Sequence, residues 1–242
     1  MTLRAHTAPI TALAHSASRR LLYSASLDAT IRVWQLPPAG RTTYAPFETS
    51  TGVPIATLVG HTDAVWDCVL VRNEGALVSC GSDGTVRVWD VSPAALLPPS
   101  SVSGLLTSEG NIGKLLLSWG YTGTDGLASG ERDEQPEAHA VTSLTAIRTD
   151  LRRVAVAYRN AVVKIFDLET GKETARLPSD VSYGRCSLSA RTRKLVAKPT
   201  IRNLDGTERT QINKIVSHQT VPLLITAHED RFIRIFDLVT GA

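Results

Sequence analysis

Short runs in which every second residue is apolar recur along the chain, as in TIRVW at 30–34 and RFIRIF at 231–236. A period of two is the signature of a strand with one buried face. Aligned on an Asp or Asn between two such runs, four segments share one plan. They are LLYSASLDATIRVW (21–34), ALVSCGSDGTVRVW (76–89), VAVAYRNAVVKIF (154–166) and LITAHEDRFIRIF (224–236). Each predicts a strand, a tight turn and a second strand. Asp83-Gly84 is a strong hairpin-turn signal, because glycine accepts positive φ. A further apolar run precedes each hairpin, at 10–14, 65–70, 141–147 and 212–217. That makes three consecutive antiparallel strands per segment. Outer fourth strands are predicted in the connections, at 54–59, 114–119 and 172–177.

The turn residues Asp28, Asp83, Asn160 and Asp230 stand 55, 77 and 70 positions apart. A four-stranded propeller blade takes about 40–45 residues. The excess therefore falls in loop insertions, at 37–53, 92–137 and 181–209, between repeats near 3–36, 54–91, 138–168 and 210–238. Repeated antiparallel units predict an all-β fold, a β-propeller with about four blades present. The expectation is an open or truncated arc of a larger propeller of about seven blades, with unpaired strand edges that favour association.

Two repeats carry the same polar quartet. Trp34 follows His6 by 28 positions, and Trp89 follows His61 by 28. The sets are His6, Ser24, Asp28, Trp34 and His61, Ser79, Asp83, Trp89. In a blade, a turn carboxylate can bond a histidine from the preceding connection. The histidine bonds a serine hydroxyl, and the indole N–H ends the chain. Half-buried polar groups then satisfy one another and avoid about 1–3 kcal/mol per orphaned group. A Ser–His–Asp catalytic triad would be a single set with an exposed serine and an oxyanion hole. Here the set recurs and its serine follows the strand alternation, which predicts a structural role and no enzyme. The third repeat has Val156, Asn160 and Phe166 at the corresponding positions, with His139 too near its strand. The fourth keeps Thr226 and Asp230 but has Glu208 and Phe236. Both are expected to rely on apolar packing and the turn.

With 43% hydrophobic and 20% charged residues, the composition is that of an ordinary globular chain. No apolar run is long enough to span a membrane. Cys68, Cys80 and Cys186 have no C-x-x-C spacing, which predicts reduced thiols and no metal centre. The net charge of +3 is local: residues 181–210 carry +5 and the remainder −2. A nucleic-acid surface over the whole chain is therefore not expected. The Gly-rich stretch at 120–130 lacks G-K-[ST], so it predicts no phosphate loop, and no cofactor is expected.

LVGHTDAVW at 58–66, QINKIVSH at 211–218 and ITAHEDR at 225–231 resemble the C-terminal WD-repeat propeller of striatins, as does the opening LRAH with LDATIRVW at 27–34. The resemblance implies a non-enzymatic, cytoplasmic scaffold, peripheral on endomembranes through its partners. Those implied partners are protein phosphatase 2A subunits, germinal-centre-type kinases, a Mob-family protein and a striatin-interacting protein. The family's coiled-coil and calmodulin-binding segments lie upstream of its propeller and are not expected in this chain. Another WD-repeat adaptor, a ubiquitin-ligase substrate receptor or a trafficking component, is the alternative. Partner-binding candidates lie where the turns and first-strand starts emerge: Trp66, Arg159, Gln211, Asn213 and Glu229. Trp66 leads, because aromatic residues dominate binding hot spots; the competing expectation for it is an inter-blade core residue.

Overall fold

The computed structural model describes residues 3–36, 54–96, 111–120, 140–159, 161–177 and 211–239. Contacts divide the chain into two compact units, 1–122 and 123–242. The fold is all-β, built of antiparallel blade-like sheets with one helical turn among the described residues.

In the first unit, one sheet runs in the order β1 (Ile10–Ser16), β2 (Leu21–Ser26), β3 (Thr30–Gln35), β4 (Pro54–Val59). The next is β5 (Val65–Val71), β6 (Ala76–Gly81), β7 (Thr85–Asp90) and, after α1 (Pro93–Leu96) and β8 (Asn111–Ile112), β9 (Lys114–Gly120). Alternation decides which residues meet. Tyr23, Ala25, Ile31 and Val33 line one face of the first sheet. They form a single buried cluster with Val65, Cys68, Leu77 and Trp89 of the second. Removing such aliphatic and aromatic side chains from water stabilises the pair by about 1.5–3 kcal/mol per large residue. Polar links join the same two sheets. Thr11 Oγ1 donates to the Val65 carbonyl (2.5 Å), and Ser16 Oγ donates to Glu74 Oε2 (2.6 Å). The Arg19 guanidinium donates to the carbonyls of Val91 and Glu74.

The second unit repeats the arrangement. One sheet is β10 (Val141–Ala146), β11 (Arg153–Tyr158), β12 (Val163–Asp167), β13 (Glu173–Leu177), and the other is β14 (Ile212–Ser217), β15 (Leu223–His228), β16 (Ile233–Asp237). Ala155, Ala157, Val163 and Ile165 of the first cluster with Ile212, Ile215, Leu224 and Phe236 of the second.

The residue after each turn position has positive φ: Ala29 at 65°, Gly84 at 72°, Ala161 at 65° and Arg231 at 71°. Only Gly84 adopts this region without a Cβ penalty. The turn is therefore imposed by strand pairing and side-chain bonds, and not by glycine.

The stretch 92–137, expected as a loop with one outer strand, holds two further elements. Ser92 N–H donates to Asp90 Oδ1 (2.9 Å) and starts the turn of α1, whose Leu96 joins the buried cluster. β8 pairs parallel to β4 and makes the first sheet five-stranded. Gly113 permits this approach: a Cβ there would collide with the Leu58 side chain. Elements of four and two residues leave no hydrophobic period to read. Loop 37–53, stretch 181–209, His139, Asn160, Cys186 and Glu208 lie outside the described residues.

Candidate functional site

Two quartets are assembled in the first unit. His61 Nδ1 lies 2.9 Å from Asp83 Oδ2, His61 Nε2 lies 2.8 Å from Ser79 Oγ, and Trp89 Nε1 donates to Ser79 Oγ at 2.8 Å. The Asp83 carboxylate can only accept, so His61 Nδ1 donates to it. With the ring proton on Nδ1, Nε2 accepts from the Ser79 hydroxyl, whose lone pair takes the Trp89 indole N–H. His6, Ser24, Asp28 and Trp34 give 2.8 Å at each of the same three links, with the Ser24 carbonyl also 3.1 Å from His6 Nε2.

The carboxylates are held from the turn as well. Asp83 Oδ1 accepts from Thr85 N–H (3.0 Å) and Oγ1 (2.8 Å), and Oδ2 accepts from Thr62 N–H (3.1 Å). Asp28 repeats this with Thr30 and Thr7. Burial pushes the Asp28 carboxyl up, but hydrogen bonds from Thr30, His6 and the Thr7 amide outweigh it and hold the group at about 2, below its ordinary 3.8. Asp83 is lowered by the same balance, with His61 foremost among the opposing groups. Ser79 is fully buried, so the serine has no path to a substrate.

The other two repeats carry substitutes that the quartet pattern missed. In the fourth, Thr226 Oγ1 bonds His228 Nε2 (2.8 Å), so the histidine comes from two positions along the same strand face. Asp230 Oδ2 takes Arg234 Nη2 (2.5 Å). In the third, Val156 is fully buried and Phe166 is 5% exposed, while Lys164, 1% exposed at its side chain, pairs with Glu173 (2.7 Å). These repeats therefore do not rest on apolar packing and the turn alone. The legible signal was a basic residue two places before each aromatic: Arg32, Arg87, Lys164 and Arg234.

One end of every sheet shares a further device. The pairing register shifts at the second residue of each first strand, which marks a bulge at Thr11, Trp66, Thr142 and Asn213. A bulge re-aims the side chain it carries. Beside it, the residue before each turn position donates its N–H to the residue preceding the strand. The pairs are Leu27 to Pro9 (3.0 Å), Ser82 to Ala64 (2.8 Å), Arg159 to Ala140 (2.9 Å) and Glu229 to Gln211 (3.0 Å). In the first unit, Trp66 is 42% exposed and its Nε1 donates to Ser82 Oγ (2.5 Å). The indole is thus outside the core and fixed in direction. In the second unit, the bulge and turn bring Gln211, Asn213 and Glu229 to one end of their sheet, and Arg159 to the corresponding end of its own. Arg159, Asn213 and Glu229 are exposed there, and Gln211 is half-buried.

Comparison with known proteins places these repeats. The family described as "WD domain, G-beta repeat" matches residues 1–35 and 52–90, the two segments that hold the complete quartets. Human Striatin-3 is 31% identical over 99% of the chain. Human Striatin-4 is 31% identical over 98%, and mouse Striatin is 26% identical over 99%. The chain spans 23–24% of the length of these relatives. The similarity runs through the degenerate repeats as well as the complete ones, so the chain is a stretch of WD repeats similar throughout to part of the striatins.

Proposed function

We propose that this chain is a non-enzymatic, cytoplasmic protein-binding scaffold that, by its likeness to striatins, gathers protein phosphatase 2A with germinal-centre-type kinases, a Mob-family protein and a striatin-interacting protein. One observation carries the reading: buried, mutually bonded quartets hold sheets whose bulged ends display fixed side chains, Trp66 foremost. The quartet groups are engaged with one another, so their chemistry goes into rigidity. A rigid end lowers the ordering cost of binding, and a half-exposed, oriented indole is an efficient anchor. The residues assigned to partner capture are Trp66 in the first unit and Arg159, Gln211, Asn213 and Glu229 in the second.

Affinity purification of the tagged chain from cells tests the assignment. Recovery of phosphatase 2A and Mob-type proteins is the expected result. Recovery of ubiquitin-ligase or coat subunits in their place would overturn it in favour of a different WD-repeat adaptor.

A further inference from the structure

Within the first unit, a polar clasp ties the two sheets together at the end opposite the bulges. The end of β1 and the turn after it supply Ser16, Ser18 and Arg19, and the turn between β5 and β6 supplies Glu74. Glu74 Oε2 accepts from Ser16 Oγ (2.6 Å) and from Ser18 Oγ. Arg19 donates guanidinium N–H groups to the Glu74 carbonyl and to the Val91 carbonyl, and its backbone N–H donates to Ser16 Oγ (3.3 Å). The two serine hydroxyls hold the Glu74 carboxyl below its ordinary range, so it carries a full negative charge at neutral pH.

The turn that presents Glu74 is in a costly shape. Arg72, Asn73 and Glu74 have φ of 52°, 51° and 67°, three successive side-chain-bearing residues in the left-handed region. Such a backbone persists only where its surroundings over-determine it, and the clasp supplies that support from the first sheet. Ser18 is the exposed member of the clasp, whereas Ser16 is buried. Its exposure belongs to the position. Ser16 pairs with Leu21 at the end of the first hairpin, as Val71 pairs with Ala76 in the second, so Asn73 is the counterpart of Ser18. Asn73 is exposed even with the first sheet packed beside its own.

We infer that Ser18 is a phosphorylation site whose modification opens this clasp. The donor is ATP and the enzyme a serine/threonine kinase, for which the exposed Arg20 offers a cation two places from the hydroxyl. The step joins Ser18 Oγ to the γ-phosphorus and breaks that phosphorus's bond to the β–γ bridging oxygen. ADP leaves, and the hydroxyl proton passes to the kinase's catalytic base. Phosphoserine has no hydroxyl proton to give Glu74 and sets nearly two negative charges against its carboxylate. Arg19 can neutralise the phosphate only by leaving the Val91 and Glu74 carbonyls, which undoes the clasp by another route. Either way the 72–75 turn loses its hold and relaxes; it is the two-state element that the added charge biases. The inference does not depend on which proteins the scaffold gathers.

Hydrogen exchange read by mass spectrometry, on the 242-residue chain carrying phosphoserine at position 18 by codon suppression, tests the switch. Peptides covering 72–75 are expected to exchange at least several-fold faster than in the unmodified chain, with β2 and β6 unchanged. Glu74→Gln alone is expected to speed the same peptides, and phosphoserine on that background to add little. Should the phosphorylated chain lose its sheet content by circular dichroism, Ser18→Asp places a smaller charge there and is read in the same way. Unchanged or slower exchange at 72–75, or an effect of phosphoserine undiminished by Glu74→Gln, would overturn the inference. Phosphopeptide mapping of the chain recovered from eukaryotic cells with phosphatases inhibited is expected to find phosphate on Ser18. Its absence there would overturn the assignment of the site.

Discussion

Ser79→Ala separates a structural quartet from any other use of these residues. Ser79 is fully buried, accepts from Trp89 Nε1 at 2.8 Å and bonds His61 Nε2 at 2.8 Å. Its removal strands an indole donor and an imidazole acceptor where water does not replace the partner. At about 1–3 kcal/mol for each of the two orphaned groups, the loss should be about 2–6 kcal/mol, a large part of the stability of a domain this size. Trp89→Phe alone should cost about 2 kcal/mol, from one bond and some buried ring area. Made on top of Ser79→Ala, the same change removes a donor that is already orphaned. The double variant should therefore be better than additive by about 1–2 kcal/mol. The third repeat supports the arithmetic, since both positions there are apolar, Val156 and Phe166, and both are buried. Urea unfolding followed by tryptophan emission is the assay. All four tryptophans, Trp34, Trp66, Trp89 and Trp119, fall in the 1–122 unit. Emission therefore reads that unit even where the chain does not unfold in one step. A Ser79→Ala cost below about 0.5 kcal/mol, or strict additivity with Trp89→Phe, would refute the reasoning.

Acid should act through the same quartets. Asp28 is held at about 2 against an ordinary 3.8, so its contribution is complete above the ordinary value and is lost as pH falls toward 2, about 2 kcal/mol in all. Acid melts of Asp28→Asn should show a flatter decline over pH 4 to 2 than wild type; an unchanged slope would contradict the assignment. At the turns, Gly84→Ala should cost about 1 kcal/mol because φ there is 72°, and Ala29→Gly, at 65°, should be neutral or stabilising by up to about 1 kcal/mol. Thermal melts of the two variants moving in the same direction would contradict the turn analysis. Thr226→Val should strand the His228 Nε2 bond and cost about 1–3 kcal/mol. Chemical denaturation followed by circular dichroism measures it, and no loss would mean that the hydroxyl supports nothing.

Much of the fold was legible because two signals repeat along the chain. Period-two alternation placed inner strands, hairpins and outer strands within a residue or two of their observed bounds. Identical offsets grouped His6 with Ser24, Asp28 and Trp34, and His61 with its own set. What stayed hidden was of two kinds. α1 and β8 are too short to carry a period, and β8 depends on a glycine fitting against Leu58. The bulges at Thr11, Trp66, Thr142 and Asn213 are a matter of register, which a sequence does not write at a single position. Without them Trp66 could be read equally as core or surface. The His228–Thr226 bond was missed because the histidine was sought upstream, although a strand places residues two apart on one face. The burial of Lys164 was missed because lysine is rarely fully buried unless paired, and its partner Glu173 lies on the neighbouring strand.

Quantitative recovery of bound proteins by wild type and by Trp66→Ala, at matched expression and melting temperature, tests the scaffold account most directly. Trp66 is exposed and outside both quartets, so its loss should leave the fold intact while phosphatase 2A and Mob-type proteins fall at least several-fold in the captured material. Equal recovery by the two proteins, with the melting temperature unchanged, would show that the bulged ends of these sheets are not where partners bind.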